Sequence, residues 1–286
     1  MPRSRPDNSF TLLAGVPVHY DRFLDPEFGY GTRGRPRRFR ADADFEQKLQ
    51  DCFEELWKVC PLGKAEVITT AGAFVDKPGA HGKGRAFDLD GIFWENRTFV
   101  TLHHYVQDAR FYLGIESVLR KHFGIVLNYE YNEAHRDHFH IDDISPVGFF
   151  PGHRSRVLYL QMALTYLFGR QVAIDGLVGP ETNGAARELL PELGLASPDA
   201  IDTDRELHAK LNDVWLELLD RGAATGMAMA APVEEHSPLE LLENVYTVIE
   251  DELKGSAARK RIETALTTFV DHEETAAFLD AYRPDA

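Results

Sequence analysis

Residues 81–92, HGKGRAFDLDGI, pass from a glycine-rich loop (72–84) into an alternation of apolar and acidic residues. Period-two alternation reads as a β-strand. A matching stretch lies about fifty residues on: 135–144, HRDHFHIDDI, in which 138–144 reads as a second alternating strand. Successive side chains of a strand point to opposite faces, so His138 and His140 point the same way. Between and before them, residues 45–59 (FEQKLQDCFEELWKV) place Phe45, Leu49, Cys52, Phe53, Leu56 and Trp57 on one helical stripe. Residues 65–70 have strand composition, 100–123 read as one long helix, 125–127 as a strand and 128–136 as a turn. Helices mixed with a few strands around loops predict an α+β domain ending near residue 150.

Two imidazoles on one strand face are the beginning of a zinc site, which needs at least one more ligand. Asp88 on the other alternating strand and His81 on the loop before it are the candidates. Two histidines and a carboxylate, with the fourth position left to water, make a catalytic rather than a structural zinc arrangement. Such an ion lowers the pKa of its water and polarises a carbonyl. A nearby carboxylate, Asp137 or Glu133, would carry the water's proton to the leaving amine, and an imidazole not bound to zinc would stabilise the oxyanion.

The stretch HGKGRAFDLDG resembles the His-x-x-Gly-x-Ala-x-Asp signature of the LAS-type zinc peptidases of the M15 class, which includes D-alanyl-D-alanine carboxypeptidases and phage endolysins. More closely, YNEAHRDHFHID (131–142) resembles the extensin-like C-terminal domain family, a bacterial relative. The resemblance spans roughly residues 45–145. It implies an M15/LAS-like α+β fold, with Zn2+ held by His81, Asp88 and His140. It also implies Asp137 as general base and His138 as the partner histidine behind the metal. Arg136 matches the extensin-like motif. An aspartate three residues before a ligand on a straight strand would face the wrong side, so the chain is expected to bend at Arg136–Asp137. The stretch Gly72-Ala-Phe-Val-Asp76 lacks the arginine that binds substrate carboxylate in M15 enzymes; Lys77, Lys83 or Arg85 could stand in. His135 is a further candidate for substrate contact. His103, His104, His122 and His153 read as ordinary helix or linker residues.

After a Pro/Gly-containing linker (146–156), Leu160-Gln161-x-x-Leu164 and Ile174-Asp-Gly-x-x-Gly-Pro-x-Thr182 resemble the peptidoglycan-binding type 1 module, a helical unit. Asp175-Gly176 would make a tight turn and Gly179-Pro180 would start a helix at 183–190, so these are structural roles. Further helices are expected at 204–220, 238–253, 257–270 and 273–281. Four regions result: an irregular basic segment (1–43), the peptidase-like domain (44–148), the wall-binding-like module (157–196) and an acidic helical region (200–286).

The chain has 286 residues and a net charge of −15, with 44% hydrophobic residues. That composition excludes a disordered chain. The charge is uneven: 20 acidic against 8 basic residues from Asp199 onward, and 26 against 23 before it. The overall acidity argues against general nucleic-acid binding, since phosphates need a basic face. The acidic region reads as a solvated face, or as a docking surface for a basic protein partner. No apolar run is long enough to span a membrane. Residues 10–18 are a poor signal peptide because Gly15 and Pro17 break them. The expectation is synthesis in the cytoplasm and action at the cell wall or periplasm after delivery. Cys52 and Cys60 flank a helix and would lie about 12 Å apart, too far for a disulfide. The leading function is therefore a zinc peptidase acting on peptidoglycan stem peptides or cross-links. The competing one is a non-catalytic wall-binding or partner-docking protein that keeps the peptidase fold.

Overall fold

The computed structural model describes residues 5–20, 36–197 and 201–228. These described residues belong to one compact unit. The helices expected at 238–253, 257–270 and 273–281, and Arg33 and Arg35 of the basic segment, lie outside the described residues.

The fold is α+β, built on a mixed sheet. Its strands are β2 (Leu12–Leu13), β3 (Val16–Tyr20), β5 (Val67–Gly72), β6 (Ala86–Phe93), β7 (Thr98–Val100), β8 (Ile125–Leu127) and β9 (Phe139–Asp142). They run in the order β2-β3-β5-β6-β9-β8, with β7 pairing the far half of β6. Only β3 and β5 are parallel. Two further short strands, β1 (Ser9–Phe10) and β4 (Phe39–Arg40), pair with each other. The N-terminal segment, expected to be irregular, thus supplies sheet strands. Gly15 and Pro17 look like breakers, yet Ala14 and Gly15 both take positive φ in the two-residue turn that joins β2 to β3. Pro17 precedes the parallel ladder, which begins at Val18.

Helix α1 (Ala43–Val59) starts at Asp42, whose side chain accepts from the Phe45 amide. It buries the predicted stripe Phe45, Leu49, Cys52, Phe53 and Leu56. Cys52 and Cys60 are both buried and free. The long helix expected over 100–123 is two, α2 (Thr101–Gln107) and α3 (Ala109–His122). The break is Asp108, whose backbone leaves helical geometry and whose carboxylate caps α3 by accepting from the Phe111 amide. Apolar periodicity continues across it and hides it in the sequence. Helix α3 packs between α1 and α7 (Trp215–Met227) and is buried on nearly every side. A Cβ on Gly226 would lie 2.7 Å from the Gly114 Cα, so two glycines bring α3 and α7 into backbone contact. The helix expected over 204–220 is likewise two, α6 (Asp204–Asp213) and α7.

Residues 146–156 are not a free linker. Phe149 is buried between His208 and Trp215. Arg156, 2% exposed, donates to the carbonyls of Gly124, Pro146 and Gly148 and to Ser145 Oγ. Burial, with Arg120 beside it, lowers its guanidinium to about 10, which leaves it charged at neutral pH. Helix α4 (Arg154–Met162) continues into a wider turn at Ala163–Leu167, followed by α5 (Pro180–Glu192). The buried Gln161 ties this unit together. Its amide donates to Asp175 Oδ1, the Leu177 carbonyl and Thr182 Oγ1, and it accepts from the amides of Asp175 and Gly176. Gly176 has φ +74 in the turn, and Pro180 occupies the first turn of α5.

Candidate metal centre

The centre forms where β6 and β9 meet. Asp88 and His140 are cross-strand partners in the register Ala86↔Asp142, Phe87↔Ile141, Asp88↔His140 and Leu89↔Phe139. The apolar members, Phe87, Leu89, Phe139 and Ile141, face the core and are buried. Asp88 and His140 therefore face the other way, into the cleft. The β5–β6 ladder is irregular beside them, between Thr69 and Gly72. There the Thr70 hydroxyl holds the Asp88 carbonyl at 2.5 Å. Bulges of this kind re-aim side chains at sites. His81 comes from a one-turn 3₁₀ helix, His81–Lys83, which ends at Gly84 with φ +70. A Cβ on Gly84 would meet the Asp42 amide nitrogen at 2.8 Å, so glycine is required there.

The ring nitrogens are assigned by their outer partners. His81 Nδ1 lies 2.6 Å from the Ala73 carbonyl, which can only accept, so Nδ1 carries the proton. His140 Nε2 lies 3.1 Å from Asp142 Oδ2 and donates to it. The free nitrogens, His81 Nε2 and His140 Nδ1, are 3.1 Å apart and lie 3.1 and 3.0 Å from Asp88 Oδ1. Tetrahedral zinc with bonds of about 2.0–2.1 Å holds its ligands roughly 3.3 Å apart, so this triangle fits such an ion. His81, Asp88 and His140 are the group able to hold a metal among the described residues.

His138 lies just before β9. Its Nδ1 is 2.6 Å from Asp137 Oδ1 and its Nε2 is 3.6 Å from Asp88 Oδ1. Strand geometry begins only at Phe139, so the chain does bend at 136–138 as the spacing required. The cleft over the centre, about 510 Å³, is lined by Lys77–Ala80, His81, Asp88, Ala134, His135, His138, His140, Asp142 and Ile144. His135 donates from Nδ1 to Asn132 Oδ1 and its ring packs against those of His138 and His140. Asp137 is absent from that lining and meets the cleft through His138.

The other candidates lie elsewhere. Arg85 is held by Asp143 on two nitrogens and by Asp42, where it braces α1 against the end of β9. It does not line this cleft. Arg136 pairs with the exposed Glu133 and lies over the Tyr129 ring, also outside the cleft. His122 pairs with Glu55. Asp142 is the functional residue that sequence reasoning did not single out. The His140-x-Asp142 spacing puts both on one strand face, the same rule that paired His138 with His140.

Electrostatics match the geometry. Burial would raise the Asp88 carboxyl, but the imidazoles of His140 and His81 beside it outweigh burial and hold it well below the usual carboxylate range. Burial would lower His140, yet Asp142 and Asp88 hold it up at about 9. His135 is pushed down to about 4 by burial and by the neighbouring His138 and His140. In the metal-stripped protein these shifts have opposite pH signs. The Asp88 contribution to stability is complete above its unfolded value of about 3.9 and is lost as pH falls. The His140 contribution is complete below about 6.5 and is lost as pH rises through about 9. Denaturant titrations of the chelated protein should therefore weaken on both sides of that window; stability that climbs from neutral pH to 9 would contradict the His140 assignment.

Residues 66–148 match the family described as Extensin-like protein C-terminus. The matched span contains β5 through β9 and all three residues of the centre. No curated protein and no solved structure matches the chain. Among the described residues no helix is long and apolar enough to cross a membrane.

Proposed function

We propose that this chain is a zinc-dependent peptidase of the M15/LAS type that hydrolyses peptide bonds in peptidoglycan stem peptides or cross-links. In this reading the helical unit around Gln161 helps hold it on the wall. The observation that carries the reading is the convergence of two imidazole nitrogens, each freed by a fixed outer acceptor, on one carboxylate oxygen. The open cleft above them argues for a catalytic rather than a closed structural site.

His81, Asp88 and His140 would hold the ion, which when bound activates a water and polarises the scissile carbonyl. Ala73 and Asp142 fix the two ligand rings, and such outer contacts tune a metal centre. Asp137 and His138 act as one hydrogen-bonded unit. His138 presents Nε2 to the cleft and is held through Nδ1 by the Asp137 carboxylate, so the pair is placed to take up a proton and return it to the leaving amine. The chain would act at the cell wall or periplasm once delivered there.

The purified chain loaded with zinc is expected to bind about one ion and to release peptides from isolated peptidoglycan, identified by mass spectrometry, in a chelator-sensitive way. Asp137→Ala should keep the metal and lose cleavage. Loaded protein that leaves the wall intact would overturn the reading, and full activity in Asp137→Ala would overturn the role of the pair.

A further inference from the structure

Beside the metal cleft lies a second one of about 520 Å³, lined by Ile125, Leu127, Tyr131, Asp142, Ile144, Ser145, Gly152, His153, Arg154 and Ser155. The two clefts share Asp142 and Ile144. Asp142 is the carboxylate that orients His140, so the second cleft opens directly against the centre. Ile144, 54% exposed, is an apolar saddle between them. Tyr131 links them as well, because its ring meets the edge of His135 in the first cleft.

The far wall is Arg154, the first residue of α4, and its side chain is held in place. Nη1 donates to the Tyr131 carbonyl at 2.7 Å, and the guanidinium lies over the Tyr131 ring. A Cβ on Gly176 would stand 2.7 Å from Arg154 Cγ, so the Asp175-Gly176 turn leaves the room in which that side chain lies. Asp175, the acid of that turn, has its Oδ1 engaged by Gln161 and the Leu177 amide. The two direct partners of the guanidinium are a carbonyl oxygen and an aromatic face, neither of them an anion, while the Asp175 carboxylate on the neighbouring turn feels its positive charge. A buffered cation beside an aromatic ring and an apolar saddle suits an extended chain with a carboxylate at a fixed distance from the reacting bond.

We propose that the two clefts form one groove, in which Arg154 and Tyr131 bind a carboxylate-bearing portion of an extended peptide whose reacting bond lies over His81, Asp88 and His140. This rests on the peptidase reading and deepens it. The helical unit becomes a specificity element, and substrate continues past the centre rather than ending there.

The test uses the full zinc-loaded chain and synthetic stem peptides in which each carboxylate in turn is free or amidated. Binding is read by calorimetry and cleavage by mass spectrometry. One carboxylate should tighten binding to wild type by about 10- to 100-fold over its amide, the range of a charge-assisted hydrogen bond. Arg154→Met should abolish that preference while keeping the zinc content and the affinity for the amidated peptide. A preference that survives Arg154→Met, or none in wild type, overturns the groove. Cleavage without any carboxylate preference sinks the groove and leaves the peptidase; an Arg154-dependent preference without cleavage does the reverse. Neither binding nor cleavage removes both.

Discussion

Asp88→Asn is expected to strip the centre of its metal and to lower peptide hydrolysis at least about 10³-fold, or ~4 kcal/mol of barrier. The size follows from how much converges on one oxygen. Asp88 Oδ1 lies 3.1 Å from His81, 3.0 Å from His140 and 3.6 Å from His138. The amide keeps the shape but removes the anionic donor and the counter-charge that lets three imidazoles share a cleft. His140 should then lose much of the support that holds it at about 9. Asp142→Asn gives the graded comparison. It leaves all three ligands and should cost only the 10–100-fold in metal affinity typical of an outer contact. Metal content by elemental analysis, with circular dichroism to confirm folding, checks both. Asp88→Asn with wild-type zinc and activity within tenfold would show that the triangle is not the working centre.

Arg156→Leu is expected to produce the largest loss of stability, about 3–5 kcal/mol. The leucine would leave the carbonyls of Gly124 and Gly148 buried without this donor, each at about 1–3 kcal/mol before water relieves part of it. Against a total of ~5–15 kcal/mol, the melting temperature should fall on the order of 10 °C. Gly124→Ala attacks the same joint from the other side, because its Cβ would stand 1.8 Å from the Ser145 carbonyl oxygen. Both should loosen the join between the sheet and α4, where the second cleft lies. Chemical denaturation checks both; an Arg156→Leu chain as stable as wild type would mean that water replaces the guanidinium at no cost.

The centre was legible because strand alternation is a strong local rule. It put Asp88 and His140 on the cleft face of their strands, and the loop before Asp88 brought His81 within reach. His138, expected at the start of the second strand, instead reaches the cleft from the bend before it. What the sequence hid was set by distant partners. Arg85 reads as a spare cation until Asp143 closes on it from the far end of the domain. Asp137 reads as a cleft acid until the bend before Phe139 turns it onto His138. The N-terminal strands were missed because a turn residue and a proline mask a run only five residues long. The split at Asp108 was missed because a cap of one residue does not interrupt apolar periodicity. The 146–156 segment looked like a linker because its anchor, Arg156, is a residue type seldom buried.

The pairing of β6 with β9 spans only four residues on β9. A slip of one residue would turn His140 and Asp142 toward the core and expose Phe139 and Ile141. The hydrophobic interior therefore proofreads the ligand geometry, and it does so before any ion arrives. A change at Phe139 or Ile141, on the core face of the strand and turned away from the cleft, belongs among the mutations that can erase the centre.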